Sequence, residues 1–333
     1  MGFPATLILG GNGRIAQLFR RDWAHLLPPD SDLRWQMRRS LHRPSAAPAE
    51  ARASQTHGDV HIFAPLEDPA ALLQAARGCD VILCLAGSIA GRSKDLQDNW
   101  RLAEAALQAS AAAGPRVATG RCAQVFLASS AAVYGNQPGP LSEDSPLAPA
   151  SPYGAAKGEM EQRAAALAAR LDVPLCMLRI GNIAGLDAIL GGWRAGFALD
   201  QFADGRSPQR SYIGMRCLSR VMAQLLQRAI TPSATVSALS PGLPPLLNLA
   251  QPGPVAMGDL LRAADLPFAS RPAPQGAIAE VSLDVSRLQR LIPAELLPQA
   301  TAAQMVREWR ALGSQSHPAL VQQPAATQET DPT

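Results

Sequence analysis

Short apolar runs set between helical stretches decide what this 333-residue chain can become. Thr6–Leu9, Leu33–Met37 and residues 60–63, 80–86, 124–128 and 174–180 are each too short for a core helix. Several are apolar without alternation, the pattern of strands buried on both faces. Between them lie segments of helical periodicity. Ile15, Leu18, Phe19 and Trp23 share one face of a first helix; 69–77 is a short helix, 96–113 a long Ala-rich one, and 152–171 another. Strand and helix alternating in this order predict an α/β fold, a doubly wound parallel sheet with right-handed crossovers. Residues 1–180 would form this unit. After Ile180 the alternation weakens and Pro and Gly become frequent, so 181–313 are expected to be mostly a smaller substrate-binding lobe, with a return strand to the main sheet near 246–250. Residues 43–55 read as a long Pro/Ala/Ser-rich loop and 314–333 as a disordered tail. There is no internal repeat.

Composition removes other classes. Hydrophobic residues make up 47% and charged residues 17%, enough apolar material for a substantial core. A net charge of +3 is too small to point to nucleic acid or an anionic membrane surface. No apolar run reaches the roughly 18 residues that would span a bilayer, and the apolar start lacks the basic flank of a signal peptide. The opening M-G-F-P-A-T fits the loose myristoylation pattern at Gly2 and Thr6, but the segment serves better as a buried first strand. Five cysteines (Cys79, Cys84, Cys122, Cys176, Cys217), with no C-x-x-C, read as free thiols of a reduced, cytoplasmic protein without disulfide or zinc. His57 and His61 have the i, i+4 spacing of a metal pair, but at a strand entry that spacing does not converge, so no metal is expected.

Gly11-x-Gly13-x-x-Ala16 lies between the first strand and the first helix, the setting a dinucleotide-binding turn requires. Glycines let backbone N–H groups approach a pyrophosphate, and the helix N-terminus adds partial positive charge. Gly10, Gly11, Asn12, Gly13, Arg14 and Ile15 are therefore candidate cofactor residues, against the alternative of a Gly-rich helix entry with no ligand. The second strand ends in Arg38-Arg39, with no Asp or Glu between Leu33 and Pro48. A carboxylate there would hold a ribose 2′-hydroxyl; guanidinium suits a 2′-phosphate, so NADP is favoured over NAD. A solvated arginine cluster is the alternative.

The chain has only two lysines, Lys94 and Lys157, and three tyrosines, Tyr134, Tyr153 and Tyr212. Tyr153-Gly154-Ala155-Ala156-Lys157 places one of each a helical turn apart, on one face. A neighbouring cation favours the phenolate, so Lys157 together with an oxidised nicotinamide is expected to lower the Tyr153 pKa. Ser130, at the end of a buried strand upstream, would donate to a substrate oxygen.

These motifs carry a resemblance. G-G-N-G-R-I-A (10–16), A-S-S-A-A-V-Y-G (128–135), S-P-Y-G-A-A-K (151–157) and L-R-I-G-N-I-A-G (178–185) stand in the order and spacing of extended short-chain dehydrogenases/reductases, the NAD-dependent epimerase/dehydratase group. Q-R-S-Y-I (209–213) and N-L-A-Q-P-G-P-V-A-M (248–257) extend it, so that it runs from about residue 5 to 262, and all three tyrosines fall on its motifs. The resemblance implies that Gly10, Gly13 and Ala16 form the pyrophosphate turn and that Leu85 and Ala86 pass beneath the cofactor. Tyr153 would be the acid/base, Lys157 would bind the nicotinamide ribose and lower the tyrosine pKa, and Ser130 would polarise the substrate. Asn182 would face the substrate, and Arg210 matches a position that often binds the diphosphate of a nucleotide sugar. The chain departs from the group at Pro65, where an adenine-binding carboxylate is usual, at Leu186, and at Arg216-Cys217.

The reading that follows is NAD(P)-dependent hydride transfer at a secondary alcohol or ketone of a small, sugar-like substrate. Ala131-Ala132 beside Ser130 lack the acid/base pair a dehydratase wants. Two alternatives stay open: a nucleotide-sugar epimerase with tightly bound NAD, and a non-catalytic NADP-sensing module. The resemblance further implies a homodimer through the Ala-rich helices 96–113 and 152–171.

Overall fold

The computed structural model describes residues 2–39, 57–88, 95–116, 120–230 and 243–313; the loop and tail expected at 43–55 and 314–333 lie outside them. The central sheet has seven strands, in the order β10-β6-β5-β4-β1-β2-β3. They are β1 (Thr6–Leu9), β2 (Leu33–Met37), β3 (Asp59–Ile62), β4 (Val81–Cys84), β5 (Gln124–Ser130), β6 (Leu175–Ile180) and β10 (Leu246–Leu249), and every pairing is parallel. The return strand near 246–250 thus closes the sheet beside β6. Crossover helices are α1 (Arg14–Leu26), α2 (Pro69–Ala76), α3 (Asp98–Ala113), α4 (Pro152–Leu171) and α5 (Met215–Ile230).

Side chains alternate along a strand, and both faces of this sheet are buried except at the edge strand β3, where Val60 and Ile62 are exposed. In β1 and β4, Ile8, Val81 and Leu83 join one core with Phe19 and Trp23 of α1 and Leu218 and Leu225 of α5. Leu7, Leu9, Ile82 and Cys84 join a second, with Leu72 of α2, Leu102 and Ala106 of α3, and Met160 and Ala164 of α4. This is why the strands read as continuous apolar runs.

Beyond Ile180 the lobe is built on β9 (Gln209–Ile213), flanked by β11 (Pro254–Ala256) and β13 (Glu280–Val281) and paired also with β7 (Asn182–Ile183). A parallel ribbon joins β8 (Ala198–Gln201) to β12 (Ala269–Pro272). Helices α6 (Met257–Ala263) and α7 (Ala302–Gly313) complete it. Leu199, Tyr212, Leu260 and Trp309 belong to the same core as Trp23, so the α1 face of the sheet continues into the lobe without a break.

Candidate active site

The C-terminal ends of β1, β2, β4, β5 and β6 face one edge, where open parallel sheets bind ligands. At the end of β1, Gly10 has φ +91°, and a Cβ there would lie 2.8 Å from the Ala86 nitrogen. A Cβ on Gly11 would lie 2.8 Å from the Gln36 carbonyl oxygen. The glycines thus let the turn press against the ends of β4 and β2. Gln36, buried in β2, fastens it: its Oε1 accepts from Gly10 N at 2.9 Å and its carbonyl from Gly11 N at 2.7 Å. The Asn12 side chain accepts from Arg38 N at 2.7 Å, tying the turn to the end of β2. Gly13 brings no side-chain cap to α1, and the first turn holds no acid. Its leading N–H groups suit an anion from outside the chain, so the turn fits a dinucleotide pyrophosphate. Replacing Gly10 by Ala forces a side chain into a left-handed conformation and against Ala86. The expected result is a loss of about 1–3 kcal/mol in stability together with loss of dinucleotide binding, read by thermal unfolding and by titration.

After β4, Leu85 N bonds Leu9 O at 3.0 Å, which sets Leu85 and Ala86 beside the turn. Gly87 follows, and a Cβ on it would meet Asn99 Oδ1 at 2.6 Å. Asn99, fully buried on α3, accepts from Ser88 N at 3.2 Å and donates to Ser88 O at 3.1 Å. Sequence reasoning passed over Asn99 and Gln36, since an amide's value here lies in which backbone it meets.

Ser130 ends β5. Its hydroxyl accepts from Ala132 N at 3.2 Å and starts a short turn. Ser151 caps α4 by accepting from Gly154 N, with Pro152 in its first turn. A Cβ on Gly154 would come within 2.4 Å of Ala132 O. Glycine therefore lets α4 press onto the turn after Ser130, and Ser130 is the side chain that favours ionisation of the Tyr153 phenol. Lys157, one turn on, is buried and donates to Ala128 O at 2.7 Å. Burial lowers its pKa to about 8, against the pull of Cys84 and Glu161.

Burial raises the Tyr153 pKa above the ordinary tyrosine value, and only Ser130 works against it. The lowering expected from Lys157 is thus not seen in the protein alone. Spacing puts both groups on one helix face, but the ammonium runs to the end of β5 and spends its hydrogen bond on Ala128.

Other candidates are placed differently. Arg14 does not join Arg38; its Nη1 donates across to Leu186 O at 2.8 Å. Ile15 is partly buried behind the turn, and Arg38 and Arg39 are exposed at the end of β2. Asn182 opens β7 just past β6, its amide 3.4 Å from Ser211 O. Arg210 lies further into the lobe, its Nη1 on Gln209 O and Ala279 O at 2.7 and 3.3 Å. Pro65 sits in a loop whose Asp68 caps α2. Arg216 pairs with Asp22 at 3.7 Å, and Cys217 N donates to Glu308. Tyr134 and Tyr212 are core residues rather than site residues. Among the described residues no cluster of His, Cys, Asp or Glu could hold a metal. No described helix is long and apolar enough to cross a membrane.

The model of the NAD dependent epimerase/dehydratase family matches residues 7–190, which take in the Gly-rich turn, Ser130, Tyr153 and Lys157. The chain belongs to the NAD dependent epimerase/dehydratase family. A search of curated proteins found no match. Solved structures share the fold of this family member. A UDP-glucose-4-epimerase from Stenotrophomonas maltophila, with bound NAD and formylated UDP-arabinopyranose, is 21% identical with TM-score 0.69, covering 94% of this chain and 99% of that one. A short-chain dehydrogenase/reductase superfamily protein from Agrobacterium tumefaciens with bound NAD is 20% identical with TM-score 0.64, covering 93% and 97%. The UDP-Glc/GlcNAc 4-epimerase from Campylobacter jejuni is 18% identical with TM-score 0.68, covering 93% and 99%.

Proposed function

We propose that this epimerase/dehydratase-family enzyme transfers hydride at a secondary alcohol or ketone of a small, sugar-like substrate, with Tyr153 as acid/base. The observation that carries the reading is the meeting of Ser130, Tyr153 and Lys157 at the end of β5, beside the Gly-rich turn. The bound dinucleotide supplies a hydride donor or acceptor next to the substrate carbon. The chain does the rest. Ser130 donates to the substrate oxygen and orients it, and Tyr153 gives or takes the hydroxyl proton at that same oxygen. Lys157 holds its charge on the floor of the site, where it can bind a ribose hydroxyl, and Asn182 borders the substrate from the far side of β6.

Two further parts of the reading concern charge. Arg38 and Arg39, with no acid nearby in the strand end, support NADP over NAD. In the lobe, Arg206, Arg262 and Arg271 are each paired, with Asp204, Asp259 and Asp200. Arg210 faces carbonyls. This supports a substrate without a diphosphate. The second reading, an epimerase that retains NAD and takes a nucleotide sugar, is favoured by the likeness to the Stenotrophomonas maltophila enzyme and its ligands. A cytoplasmic, reduced setting is supported by free cysteines at all five positions. A homodimer through α3 and α4 is part of the same proposal.

The deciding measurement is the dinucleotide released when freshly purified protein is denatured. The first reading expects protein that carries little and then binds NADPH ahead of NADH. Near-stoichiometric NAD⁺ would overturn it in favour of the retained-cofactor epimerase. Protein that carries none and binds none would overturn both.

A further inference from the structure

Arg20 is a partly buried cation that meets no acid among the described residues. It sits in the second turn of α1, and side chains on a helix lean toward its N-terminus, here toward the Gly-rich turn. Its guanidinium lies 6.0 Å from the Trp35 ring centroid, and Nη1 is 3.9 Å from the Met37 sulfur. Neither neighbour is an anion. Its Nε is buried and has no hydrogen-bond partner. Elsewhere in the same half of the molecule Arg34, Arg101, Arg116 and Arg163 each reach an acid, at 2.8 to 3.0 Å. Like several exposed arginines, Arg38 and Arg39 at the nearby strand end are in no ion pair among the described residues; Arg20 differs from them in being partly buried. Burial alone acts on the Arg20 pKa, and lowers it.

A half-buried guanidinium with an unpaired donor is costly unless something negative completes it. Its surroundings say what that is. Met37 leads directly into Arg38 and lies against the turn: a Cβ on Gly11 would be 3.1 Å from Met37 Cγ. Arg20 is therefore one side chain removed from the place where an adenosine ribose would sit at the end of β2. The head itself lies over Trp35 and beside Met37, which sets its place. We propose that Arg20 is a specificity-determining residue that grips a 2′-phosphate from the α1 side, while Arg38 and Arg39 close on it from the strand end. Guanidinium, planar and always charged, suits a phosphate monoester better than a hydroxyl. The sequence pattern at the strand end points only to Arg38 and Arg39; Arg20 is recruited by the packing of α1 on β2. This rests on the dinucleotide reading above.

The test measures binding, without turnover, by titration calorimetry. NADP⁺, NAD⁺ and the fragments 2′,5′-ADP and 5′-AMP are titrated into wild type, Arg20→Met and Arg20→Lys. Arg20→Met keeps an unbranched apolar stem and removes the charged head. It should weaken NADP⁺ and 2′,5′-ADP about 10- to 100-fold, the range for a charged hydrogen bond lost, and leave NAD⁺ and 5′-AMP as they are. Arg20→Lys should recover part of the loss, being charged but not forked. Equal losses for phosphorylated and unphosphorylated ligands would overturn the proposal and make Arg20 a packing residue, as would unchanged NADP⁺ binding. Wild type that binds NAD⁺ but prefers it to NADP⁺ overturns the 2′-phosphate subsite and leaves the dinucleotide reading standing. Wild type that binds neither overturns both.

Discussion

Tyr153→Phe should reduce turnover about 10²- to 10⁴-fold, the contribution of a positioned acid/base, while dinucleotide affinity and unfolding temperature stay at wild-type levels. The change removes one oxygen from a ring already shaped to its place against Ser130. Gly154 and the Ser151 cap, which bring α4 onto the turn after Ser130, are untouched. Proton transfer is lost and binding is kept, and steady-state kinetics beside a cofactor titration separate the two. Unchanged turnover would remove Tyr153 from the chemistry. A parallel loss of cofactor binding would show that the phenol is holding the site's shape. The raised pKa of Tyr153 makes the experiment more informative, because among the described residues Ser130 is what eases its ionisation. Any further easing has to come with the ligands.

The largest expected effect on stability lies behind the site. Arg179, buried in β6, makes a two-pronged contact with Glu161 of α4: Nη2 to Oε2 at 2.7 Å, and Nε to both oxygens at 3.1 Å. Ser129 donates to Glu161 Oε1 at 2.5 Å, and Arg179 Nη1 reaches the Tyr134 hydroxyl at 2.8 Å. That hydroxyl also lies 2.7 Å from Asn248 Oδ1 in β10. Burial works against the Arg179 charge, but Glu161 and Tyr134 more than offset it, so its pKa is raised. Arg179→Met leaves the Glu161 carboxylate buried without its partner. It should cost about 3–5 kcal/mol, a large share of the roughly 5–15 kcal/mol that keeps a domain folded. Denaturant unfolding measures it. The double variant Glu161→Leu, Arg179→Met should regain much of the loss, because the expensive event is stranding one charge. A single variant within about 0.5 kcal/mol of wild type would mean that the network carries no stability.

The sheet was legible because its central strands are buried on both faces. Residues of β1 and β4 with no polar alternation could be little else, and Leu246–Leu249 was readable as a return strand for the same reason. β5 runs two residues past its apolar stretch, to Ser130, since Ser129 is polar only to meet Glu161. The lobe's strands escaped notice: β7 and β13 are two residues each and exist through their pairing with β9. In the candidate site, the Gly-rich turn and the one-turn separation of Tyr153 and Lys157 follow from local spacing, and local spacing is what a sequence displays. The direction of the Lys157 side chain does not, because it is set by a carbonyl 29 residues away. Gln36, Asn99 and Arg20 were hidden for a related reason. Each matters through what it touches across the fold.

The unbroken core on the α1 face has a consequence for how such a molecule can move. Arg21 Nη1 donates to Leu312 O at 3.2 Å, and Arg216 N donates to Glu308 Oε2 at 2.9 Å, so α1 and α5 are joined to α7 where a hinge between sheet and lobe would have to open. Swinging the lobe away would expose Trp23, Leu218 and Trp309 to water together, at about 1.5–3 kcal/mol for each large side chain. A jaw-like opening is therefore disfavoured, and a substrate has to be admitted by the loops above the sheet edge while the body beneath stays shut.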